Sequence, residues 1–123
     1  MVAAYLWLNA VMYLGLAAWC ALRPAETAKA LGYGELSAAG KTEFLTIYAG
    51  LELGLAAIYA CLAWYPLLRP LGLMFSVLLY GGIVVFRLFG LRRYRPESPV
   101  IRNLAAGEVA FLLIPLALIV VLP

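Results

Sequence analysis

The chain has 123 residues, of which 67% are hydrophobic and 12% charged, with a mean hydropathy of +1.01 and a net charge of +3. Globular domains run roughly 45–50% apolar and about 25% charged, so both a soluble domain and a disordered chain are excluded. There is no His and no Asp, and the only cysteines are Cys20 and Cys61, so neither a His-ligated haem nor a Cys/His zinc site has a ligand set and no metal or cofactor is expected.

Four stretches approach the roughly 20 apolar residues that a transmembrane helix needs: Val2–Leu22, Phe44–Tyr65, Leu71–Leu91 and Leu104–Leu122. Lipid offers no hydrogen bonds to an open strand, and the period-2 alternation of a membrane barrel is missing, so the spans are predicted to be helices. The expected architecture is all-α: one domain, residues 1–123, forming an antiparallel four-helix transmembrane bundle.

Val2–Leu22 lacks a basic leader, and its apolar run is too long for a signal peptide, so it reads as a retained span. Tyr5, Asn9 and Tyr13 recur along one side of it. Next, Pro24-Ala-Glu-Thr-Ala-Lys-Ala-Leu31 opens with Pro at a first helical position and closes at Gly32, which predicts a short interfacial helix in the first loop. Ser37 or Thr42 can cap the second span, with Glu43 in its first turn.

Tyr48, Glu52 and Tyr59 lie along one side of the second span. Gly50-Leu-Glu-Leu-Gly54 is a small-residue motif that permits close helix approach. Pro66-Leu-Leu-Arg-Pro70 is a tight turn, which makes spans two and three antiparallel. Span three carries Ser76, Tyr80 and Arg87, with Gly81-Gly82 as a further packing pair. Span four carries Glu108 early and Pro115 late, where a kink is expected. Cys20 and Cys61 fall near opposite membrane faces, which excludes a disulfide.

Loops one and three hold Arg23, Lys29, Lys41, Arg92, Arg93, Arg95 and Arg102, against Arg69 alone in loop two. The positive-inside rule then puts loops one and three in the cytoplasm and both termini outside, in a bacterial inner membrane. The basic excess is a topology signal, and no nucleic-acid partner is expected.

A charge at the centre of a transmembrane helix costs roughly 2.5–3.5 kcal/mol, so Glu52, Arg87 and Glu108 need explaining. At 1.5 Å per residue Glu52 lies roughly 13 Å deep, near the midplane. Arg87 and Glu108 both lie roughly 6–7 Å inside the loop-three boundary, so they should pair. Glu52 is the odd group: either water keeps it charged or it carries a proton, at comparable cost. Pointing the Tyr-bearing stripes at one another predicts a polar pocket lined by Asn9, Tyr13, Tyr48, Glu52 and Tyr80, with Arg87 and Glu108 at its mouth.

Thr42-Glu-Phe-Leu-Thr-Ile-Tyr-Ala-Gly-Leu-Glu-Leu-Gly54, Tyr80-Gly-Gly-Ile-Val-Val-Phe-Arg87 and the early Glu108 together resemble the bacterial membrane family catalogued as domain of unknown function 4345. Leu22-Arg-Pro24 and Leu31-Gly32 add to the likeness, and the helix-two pair that is Gly-Gly in that family is Ala49-Gly50 here. The resemblance implies a DoxX-like four-helix layout and no activity.

The residues themselves suggest that a small hydrophobic or amphiphilic molecule is bound or transported, with proton linkage through Glu52. One alternative is an accessory or assembly subunit whose charges are structural, with a homodimer or a membrane-protein partner on the glycine face. A second is a membrane isomerase with Glu52 as acid/base and Tyr80 as its partner. With no nucleophile and a single mid-membrane acid, the enzyme reading ranks last.

Overall fold

The computed structural model of the protein describes residues 1–121; Leu122, the expected end of span four, lies outside them. No strand occurs among the described residues, and four helical stretches are long and apolar enough to cross a membrane: Val2–Leu22, Ala38–Trp64, Pro66–Tyr94 and Pro99–Val121. This is a multi-pass all-α membrane protein. The last three stretches begin before the apolar runs do, and the third also ends after its run. Hydropathy marks only the hydrocarbon crossing, whereas the helices continue through flanking charged residues that still favour helix. Apart from the first two residues, the chain divides into two compact units, Ala3–Pro66 and Leu67–Pro123.

In the first unit, α1 (Val2–Leu22) buries Tyr5, Leu6, Asn9, Ala10, Tyr13, Ala17 and Cys20, while Leu8, Val11, Leu14 and Leu22 face outward. The buried positions follow the helical repeat of three and four. The short helix α2 (Pro24–Ala30) starts on Pro24, as expected. It ends in a Schellman motif: Gly32 takes φ +90°, its N–H reaches Lys29 O at 3.1 Å, and Tyr33 N–H reaches Ala28 O at 2.9 Å. Thr27 is fully buried, and its hydroxyl donates to Arg23 O and Pro24 O at 3.0 and 3.1 Å, so its burial leaves no hydroxyl proton unpaired. Cys20, Ala28 and Phe44 form a small core with Leu31, Leu36, Tyr48 and Ala49, which ties α2 to the spans on either side.

The second span is three segments: α3 (Ala38–Leu45), a π-helical turn (Thr46–Leu51) and α4 (Glu52–Trp64). Ser37 is the cap, its Oγ accepting from Gly40 N–H at 3.1 Å. Thr42 bonds back to Ala38 O instead, at 3.0 Å. Trp7 meets Trp64 edge-on at 6.4 Å and Tyr13 stacks on Tyr59 at 5.7 Å, so early α1 residues meet late α4 residues and the two run antiparallel. Both cysteines are thiols.

A 3-10 turn (Pro66–Leu68) leads into the second unit, where α5 (Arg69–Tyr94) packs against α6 (Pro99–Val121). Arg92 and Arg93 fall in the last turn of α5, where the helix dipole favours cations. Arg95 then takes φ 46°, ψ 53°, the left-handed conformation usual for Gly at this position. For a residue with a Cβ that conformation costs about 1–2 kcal/mol. Pro115 is buried within α6, and Ser76 bonds its own helix at Gly72 O, 2.8 Å away.

Candidate functional site

Asn9, Tyr13, Tyr48 and Glu52 belong to the first unit, and Tyr80, Arg87 and Glu108 to the second. Each group is built differently.

In the first, Asn9 is fully buried and its Nδ2 donates to Tyr5 O at 2.8 Å, one turn back. A buried amide without such a bond would cost several kcal/mol by roughly the scale of apolar transfer. Tyr13 lies flat on Tyr59, which is itself fully buried. The Tyr48 hydroxyl meets that of Tyr33 at 2.7 Å, and its ring stacks on Phe44 at 4.7 Å. Tyr33 also stands edge-on to both Phe44 and Tyr48. Tyr33 comes from the loop after α2, and nothing in helical periodicity points to it; only the Schellman turn at Gly32 brings it back to the second span.

Glu52 is the first residue of α4 and directly follows the π-turn. Its Oε2 is buried and has no hydrogen-bond partner among the described residues. The π-turn has a local cause. Thr42 and Thr46 bond back to Ala38 O and Thr42 O at 3.0 and 2.9 Å, competing with the backbone ladder. Gly50, within the turn, lacks a Cβ and loosens the helix further. The added residue of the π-turn shifts the rotation between the faces of α3 and α4, so uniform 100° steps do not carry across this segment. Isolated π-turns concentrate at functional sites, and this one ends at Glu52, whose buried Oε2 has no hydrogen-bond partner among the described residues.

In the second unit, Arg87 and Glu108 form a two-pronged pair: Nε to Oε2 at 2.8 Å and a terminal nitrogen to Oε1 at 2.6 Å. The side chains are 29% and 16% exposed. Their common depth in the sequence reading is thus realised as direct contact. The fork geometry of guanidinium on carboxylate is the strong form of this bond. Tyr80 is buried and stacks on Phe111 at 5.4 Å, four residues before Pro115.

The expected packing glycines have open space around them. A Cβ added at Gly54, Gly81 or Gly82 would meet nothing within 4 Å, and one at Gly50 only Leu45 O at 3.8 Å. Gly50 and Gly54 are exposed, because Glu52, Leu55 and Tyr59 occupy the inward side of that helix. No group of three or more Cys, Asp or Glu residues able to hold a metal occurs among the described residues. Comparison with protein-family models, with curated proteins and with solved structures finds no match to this chain.

Proposed function

We propose that this protein binds or carries a small hydrophobic or amphiphilic molecule inside the membrane, with Glu52 as its polar contact. The buried, unpartnered Oε2 of Glu52 carries this reading. A buried carboxyl oxygen without a partner is costly, and a ligand hydroxyl, amine or amide N–H would satisfy it. The adjoining π-turn supports the same reading, since it frees main-chain geometry one residue away. Asn9, Tyr13 and Tyr48 lie in the same unit as Glu52 and are the aromatic and amide groups this reading assigns to the ligand's surroundings. An apolar site with a few convergent polar groups suits such ligands. Proton exchange at Glu52 would couple binding to pH. The sequence resemblance to the DUF4345 family, and the inner-membrane orientation with loops one and three in the cytoplasm, belong to the same proposal.

The test compares lipophilic molecules co-purified with wild type and with Glu52→Gln, extracted and identified by mass spectrometry. A species enriched on wild type and lost from a folded Glu52→Gln supports the reading, and identical extracts overturn it. The outward Gly50 and Gly54 favour a second reading, an assembly subunit with a helix seated on that face. In that case Gly50→Leu and Gly54→Leu lose the partner while Glu52→Gln keeps it.

A further inference from the structure

We infer that the loop-three end of the α5–α6 hairpin is a binding site for an anionic membrane phospholipid, separate from Glu52 and argued from different residues. A groove of about 250 Å³ runs along this end, lined by Phe86, Arg87, Gly90, Leu91, Tyr94 and Ile101. From Phe86 to Tyr94 it spans roughly 12 Å of helix at 1.5 Å per residue. Its upper wall therefore lies at hydrocarbon depth and its lower end at the interface. Drug-sized ligands need enclosed pockets of roughly 300–1,000 Å³, so this smaller side groove suits a stretch of acyl chain better. Phe86 and Tyr94 are each 76% exposed at its two ends, the first suited to lipid tails and the second to the interfacial belt.

Charge selects the occupant. Arg92, Arg93, Arg95 and Arg102 are all exposed and are sequence neighbours of the lining residues Leu91, Tyr94 and Ile101, with Glu97 the only acid in the connecting loop. Arg93 lies over the Tyr94 ring at 5.9 Å, which holds one guanidinium beside the groove. Arg95 stands in the left-handed position that ends α5, where glycine would be unstrained. A strained arginine in a cationic rim is a functional signal of the kind that strain at ligand clamps provides. Guanidinium forks match phosphate oxygens, and basic pockets between transmembrane helices bind anionic headgroups. The phosphate sits on the arginine rim and one acyl chain lies in the groove.

The test is native mass spectrometry of the purified protein released from mixed micelles containing equal phosphatidylglycerol and phosphatidylcholine. Wild type should retain phosphatidylglycerol with a preference of roughly tenfold or more. The variant R92Q/R93Q/R95Q/R102Q should lose that preference. Gly90→Leu keeps every charge and adds a side chain at a residue that lines the groove, where a Cβ meets nothing within 4 Å. It should lower lipid retention even if the arginine variant fails to fold. Equal retention of the two lipids by wild type, or full phosphatidylglycerol retention by Gly90→Leu, overturns the inference. So does a lipid-insensitive dimer that Gly90→Leu abolishes, since a second copy would then fill the groove.

Discussion

Arg87 and Glu108 illustrate how a partly buried ion pair behaves. The two hydrogen bonds are short, and both side chains are mostly buried. Removing one partner leaves an uncompensated charge, so Arg87→Met or Glu108→Leu alone should destabilise the protein by about 2–3 kcal/mol, a value discounted for partial exposure. The double variant Arg87→Met/Glu108→Leu should regain most of that loss, because burying a charge pair is itself costly. Denaturant titration of the three variants measures the coupling, and additive losses would show the pair to be incidental. At this scale much was legible in the sequence. Equal depth pointed to this pair, and the lack of a level partner singled out Glu52. The ring partners were not legible, because Tyr33 reaches Tyr48 only through the geometry of the Schellman turn at Gly32.

The π-turn governs the second span. A π-turn accommodates one residue more than α-helix would need, so deleting Gly50 should let Thr46–Leu51 close as α-helix with the flanks nearly in phase. That deletion should cost about 1 kcal/mol or less, whereas deleting Ala57 turns the buried Tyr59, Leu62 and Ala63 by about 100° and should cost more than about 3 kcal/mol. Thermal midpoints in one detergent compare the two, and equal losses would contradict this view of the turn. Arg95→Gly belongs to the same scale. Relief of the left-handed strain should stabilise the lipid-free protein by about 1 kcal/mol while weakening its phosphatidylglycerol preference. The helices themselves were readable from hydropathy and caps. The π-turn was not, since two back-bonding threonines and a glycine shift a choice between ladders that differ little in energy.

For the whole molecule, the orientation proposed from the distribution of basic residues can be tested directly. In a Cys61→Ser background, Leu67→Cys should react with a membrane-impermeant maleimide on intact cells, and Glu97→Cys only after lysis; the reverse pattern would invert the topology. Length and composition sufficed for four crossings, because lipid admits few alternatives to apolar helices. The division of the chain into two compact units was not read from the sequence, because both halves consist of apolar helices and only a short proline turn joins them. The most direct measurement is a crystal structure of the protein grown from a lipidic mesophase, focused on the space around Glu52. The proposed function predicts non-protein density within hydrogen-bond distance of Glu52 Oε2. A carboxylate closed over by protein side chains, with the surrounding space filled, would contradict it.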